Sequence, residues 1–114
     1  MCLTSIDYSA TLPKSGWMYK CFTKQFKSGK LKVWLYGPVR GYARGRWYKF
    51  DGGYGFHGFS TLASAKAYDS DAVILRVQFR TANAVGSMRN YPALTAQKML
   101  IPKSARNLNP RRRS

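Results

Sequence analysis

Eight of the ten glycines of this 114-residue chain fall between positions 29 and 58, and no other feature restricts its fold as sharply. A glycine inside a helix costs about 0.5–1 kcal/mol relative to alanine, so this stretch predicts turns, short strands and close backbone approaches. The flanking segments alternate with a period of two. WMYKCF (residues 17–22) sets Trp17, Tyr19 and Cys21 against Met18, Lys20 and Phe22, and LKVWLY (31–36) sets Leu31, Val33 and Leu35 against Lys32, Trp34 and Tyr36. GPVRGYARG (37–45) reads as a loop and RWYKF (46–50) as a short strand. AVILRVQFR (72–80) is the clearest strand, with Val73, Leu75, Val77 and Phe79 toward a core and Ile74, Arg76, Gln78 and Arg80 away from it. TAQKMLI (95–101) is a last strand closed by Pro102, with Thr95, Gln97, Met99 and Ile101 on one face.

Between these strands, Ser60 or Thr61 is an N-cap for LASAKAY, which predicts one short helix over about 61–69. The elements define a small α+β fold: an antiparallel or mixed sheet of about five strands with one helix. Residues 1–102 form a single globular domain, since a chain this short supports one core. The remainder, KSARNLNPRRRS (103–114), has so few apolar side chains that a basic flexible tail is expected. An aromatic content of 15% excludes a disordered polycation.

The charge is as uneven as the glycine. Twenty Lys and Arg face four Asp and no Glu, a formal net charge of +16. Residues 14–49 hold ten bases and no acid, residues 50–79 are nearly neutral, and residues 80–114 hold eight more bases and no acid. Folded surfaces ordinarily mix signs to limit self-repulsion, so two long acid-free blocks call for an external polyanion. Within residues 30–49, cations and rings interleave: Lys30, Lys32, Trp34, Tyr36, Arg40, Tyr42, Arg44, Arg46, Trp47 and Lys49. Cations follow a phosphate backbone, and exposed rings stack on unpaired bases. Arg76 and Arg80 extend the basic edge of the 72–80 strand, and Arg111, Arg112 and Arg113 form an electrostatic clamp at the C-terminus. No basic recognition helix is present, which favours RNA or single strands over duplex reading.

Catalytic groups are scarce. Two cysteines and one histidine cannot supply a four-ligand zinc site, so no metal and no cofactor is expected. Cys2 would become an N-terminal nucleophile if Met1 were removed, but an apolar role in a strand is the simpler reading. His57 is the second weak catalytic candidate. It lies in GGYGFHGFSTLASAKAY, a glycine-rich turn, an aromatic-His-small-aromatic strand and a short helix ending in Tyr. This order, with Lys98-Met99-Leu100-Ile101 near the end, resembles a group of small, mostly phage-borne proteins of unknown function with a GFHxF motif, over roughly residues 17–102. More remotely, it resembles the second half of the ADP-ribosyltransferase fold, which places Tyr19-Lys20 at the first-strand position that offers His or Arg to the cofactor. That family's catalytic glutamate has no counterpart, since residues 91–96 hold no acid, so the resemblance implies a fold without the transferase activity.

These features predict a non-catalytic, phage-encoded, basic protein of the host cytoplasm or the virion. It would bind the phosphate backbone of RNA or single-stranded nucleic acid, or a host nucleoprotein complex. The alternatives are a virion or assembly protein, an inhibitor of a host defence complex, or an enzyme that uses Cys2 or a His57 pocket on a nucleotide-like substrate. No segment reaches the about 18 apolar residues that would span a membrane.

Overall fold

In the computed structural model, the described residues are 3–22, 24–25, 31–33, 40–50 and 55–109; side chains are described for all of these except 24–25, 31–33 and 40. Among the described residues, nine strands and one helix follow in order: β1 (Ser5–Ile6), β2 (Ser15–Phe22), β3 (Lys24–Gln25), β4 (Leu31–Val33), β5 (Arg40–Tyr42), β6 (Trp47–Lys49), β7 (Phe56–Phe59), α1 (Leu62–Tyr68), β8 (Val73–Met88) and β9 (Tyr91–Leu100). The α+β class holds, with six strands in the main antiparallel sheet rather than about five. Strands β3, β4 and β5 form a second, three-stranded sheet. Arg40–Tyr42 therefore belongs to a strand, although its glycines predict a loop: Gly41 faces Lys32 across the ladder without interrupting it.

The main sheet runs β1-β8-β2-β7-β9-β6, and an additional β8–β9 pairing joins β8, β2, β7 and β9 into a closed ring. All four strands of that ring contribute to one buried cluster, including Met18, Phe22, Phe56, Val73, Leu75, Val77, Phe79, Leu94, Ala96 and Met99, so the cluster fills the ring's interior. Closure is uneven. β8 meets β9 over nine residue pairs and β2 over eight, whereas β2 meets β7 through Tyr19↔Phe59 alone.

Strand β8 can serve both neighbours because it changes course midway. Thr81 adopts φ 60, and the ladder to β9 shifts register between Ala82 and Ala84. Regular alternation after Phe79 would turn Ala82 outward; instead Ala82 is buried with the core and Thr81 is exposed. Strand β9 breaks its own alternation opposite: Ala96 and Met99 face inward, while Gln97 and Lys98 are both exposed. Thr95 consequently pairs with His57 and Ala84 instead of joining Met99 and Ile101 on the core face.

A second cluster of Phe59, Ala65, Ala72, Ile74, Met88 and Ala93 packs α1 on the outside of the ring. The helix begins where its cap predicts. The Thr61 hydroxyl accepts from Ser64 N at 3.2 Å and donates to Ser64 Oγ at 2.8 Å. Thr61→Ala is expected to cost about 1 kcal/mol of stability in a denaturant titration; a change within about 0.2 kcal/mol would show that packing alone holds this short helix.

The first part of the expected tail, residues 103–109, is packed. Residues 103–109 return across the start of β8, where the Leu108 amide donates to Ile74 O at 2.8 Å. Asn107 Oδ1 accepts from Ile74 N at 3.0 Å and from Asn109 N at 2.9 Å, and the buried Asn109 donates to Ser70 O and Ala72 O, both at 2.8 Å. Side-chain amides supply the partners that apolar contacts supply elsewhere, so low hydrophobicity does not leave this segment loose. Arg111, Arg112 and Arg113 lie outside the described residues.

Candidate functional site

Strand register assembles a continuous surface on the outer wall of the ring. Lys49 lies opposite Lys98, Lys98 opposite Arg80, and Arg80 opposite Ser15, so one row crosses β6, β9, β8 and β2. Its three cations are all exposed and none of its positions is an acid. Like charges directly opposite one another are destabilising by roughly 0.2–1 kcal/mol per pair. Folding alone gives no reason for such a row.

The adjacent row is Trp47, Leu100, Gln78 and Trp17 in the same strand order. At about 4.8 Å per strand the two indoles stand roughly 14 Å apart along the wall. Each carries a guanidinium: Arg76 lies 4.4 Å from the Trp17 ring centre and Arg80 lies 4.2 Å from that of Trp47. Arg76 follows on β8 opposite Tyr19. Trp17 is 41% exposed, too much for a core ring, and Trp47 is half-buried. An open cleft of about 250 Å³ lies between them, lined by Ser15, Gly16, Trp17, Trp47, Gln78 and Arg80.

The sequence-predicted residues divide accordingly. Trp47, Lys49, Arg76 and Arg80 come together on this wall. Arg46 is exposed beside it, with its guanidinium 5.6 Å from the Tyr48 ring centre. Arg44 is half-buried and donates to Ala105 O, which fastens the returning C-terminal segment. Tyr42 must be withdrawn from the binding surface: it is 1% exposed and packs edge-on against Tyr48 and Phe56, with ring centres 4.9 and 5.7 Å away. A glycine before it and an alanine after it gave no hint of burial. Lys32 and Arg40 sit on β4 and β5, while Cys2, Lys30, Trp34 and Tyr36 lie outside the described residues.

The sequence alone does not single out Trp17, Gln78 and Lys98 as binding residues. The alternation that places Trp17 opposite Met18, and Gln78 between Arg76 and Arg80, was visible; the β8–β2 and β8–β9 pairings that unite them are long-range and were not.

The GFH segment has a structural part. Gly55 takes φ 88, Phe56 enters the core, and the His57 carbonyl accepts a hydrogen bond from Lys20 Nζ at 2.8 Å. Lys20 is fully buried inside the ring, and burial lowers its pKa to about 8. Burial, and then the neighbouring Lys20 charge, hold the His57 imidazole well below its ordinary pKa, so it is neutral at pH 7. Burial pushes the Cys21 thiol up to about 12, and its sulfur lies 3.6 Å from Ala65 O. Neither group is set up as a nucleophile or a charged acid. Among the described residues, no three His, Cys, Asp or Glu side chains gather where a metal would bind, and no helix is long and apolar enough to cross a membrane.

No family model, no curated protein and no solved structure matches this chain.

Proposed function

We propose that this chain is a non-catalytic nucleic-acid-binding protein that grips the phosphate backbone of RNA or single-stranded nucleic acid with the outer wall formed by β6, β9, β8 and β2. The observation that carries this reading is the cross-strand row of Lys49, Lys98 and Arg80. Three cations held side by side repel one another until an anion with closely spaced charges lies across them, and a phosphodiester backbone has that charge spacing. The arginine-covered indoles of the next row supply stacking surface beside the phosphate track.

Binding of a labelled single strand should weaken steeply and linearly on a log–log plot against salt, since each neutralised phosphate releases a condensed counterion. Lys98→Ala is expected to reduce the magnitude of that slope by about one and to weaken binding of all sequences equally. Affinity independent of ionic strength, or an unchanged slope in Lys98→Ala, would remove the reading.

A further inference from the structure

The cleft at the centre of this wall is too small for a large metabolite. Its volume of about 250 Å³ lies below the roughly 300–1,000 Å³ of cavities that enclose drug-sized ligands. It suits one planar heterocycle. Two walls are indoles, and the guanidiniums of Arg76 and Arg80 already lie on them at 4.4 and 4.2 Å, so each ring has a face clear of the core and receptive to a flat group. The half-buried Gln78 lies between them in the register, opposite Trp17 on one side and Leu100 on the other. Its carboxamide offers a donor pair and an acceptor together, which is the complement of a base edge.

We infer that this cleft is a subsite for one unpaired nucleobase of single-stranded nucleic acid, stacked on an indole and hydrogen-bonded at its edge by Gln78. Arg80 serves both rows, since it covers Trp47 and also stands in the cation row opposite Lys98. When a base takes its place on the indole, its guanidinium turns to the flanking phosphate. The inference rests on the proposed nucleic-acid reading and narrows it: the ligand must present an unstacked base. A duplex still offers phosphates to the cation row but keeps its bases paired.

The test uses the full chain and three ligands of equal length, about ten nucleotides, at one fixed salt concentration. These are an oligodeoxyadenylate strand, an abasic phosphodiester strand, and a blunt duplex. Fluorescence anisotropy should give on the order of tenfold tighter binding for the base-bearing strand than for the abasic one, with equal salt slopes. Tryptophan emission should be quenched by the base-bearing strand alone. Gln78→Ala and Trp47→Ala should bring the ratio toward one, while Trp47→Phe, which keeps a ring in place, should preserve most of it. Equal binding of the abasic strand, or tighter binding of the duplex, would overturn the base subsite and leave the phosphate reading standing. Absence of binding to all three ligands at low salt would sink both.

Discussion

Gly55→Ala is expected to cost about 3–5 kcal/mol, a large part of the roughly 5–15 kcal/mol that holds a domain together. Two effects add. Gly55 sits at φ 88, a conformation that side-chain-bearing residues rarely adopt. A Cβ at this position would stand 2.5 Å from Ala96 O and 2.7 Å from Asn83 Nδ2. The nearer obstacle is main chain, held in place by the Phe56↔Ala96 pairing, so it cannot swing aside. Gly45 provides the control. Its φ is also positive, at 75, but the nearest atoms an added Cβ there would meet belong to the flexible side chain of Lys103, so Gly45→Ala should cost about 1 kcal/mol. Thermal melts of the two variants decide the matter; a Gly55→Ala melting temperature within a few degrees of the parent would show that the GFH turn relaxes freely.

The second large effect concerns Lys20. A lysine whose pKa falls from 10.5 to about 8 carries a burial cost of about 3 kcal/mol in its charged form. Between pH 8 and 10.5 the unfolded chain holds a proton on this residue that the folded chain has released, so stability rises with pH across that window. Cys21 opposes it from pH 9 upward, because the folded thiol, raised to about 12, keeps a proton that the unfolded one loses. The uncompensated rise is therefore expected between pH 8 and 9 and should amount to about 1 kcal/mol. Lys20→Met should abolish it and leave the protein at least as stable as the parent at pH 7, since release of the burial cost offsets the unpartnered His57 carbonyl, worth about 1–3 kcal/mol. Urea titrations over this pH range measure both; a flat parent profile, or a Lys20→Met variant weaker by more than 2 kcal/mol, would contradict the argument.

The parts of the fold that are legible in the sequence are the locally encoded ones. Val73, Leu75, Val77 and Phe79 alternate with Arg76, Gln78 and Arg80, and the two sets occupy opposite faces of β8 as their period requires. Thr61 caps the helix because its hydroxyl needs only neighbours three residues away. The misread parts depend on distant partners. Residues 81–88 continue β8 because Thr81 takes a left-handed conformation and resets the pleat, and nothing in a threonine announces that. The Asn107 and Asn109 amides hold down a segment whose composition reads as a tail. At the candidate site, the basic residues of β8 were evident, but Trp17 and Lys98 join them only through pairings that close loops of about sixty and twenty residues. Tyr42 follows the same rule, since a ring in a glycine-rich segment reads as exposed, and its burial against Tyr48 and Phe56 depends on tertiary packing.

The uneven closure of the ring has a kinetic consequence. β2 and β7 share one bridge, at Tyr19↔Phe59, and the Lys20 ammonium reaches the carbonyl of His57 across the same junction. A side chain thus acts as a stitch where the backbone ladder is thinnest. Such a junction is the first place the wall parts during native-state breathing, ahead of any global transition. The amides flanking it should exchange with solvent sooner than those along the β8–β9 ladder, and cutting the stitch should hasten that exchange even where the melting temperature stays put. Lys20 thus acts twice, on the pH dependence of unfolding through its burial and on the tightness of the seam through its hydrogen bond.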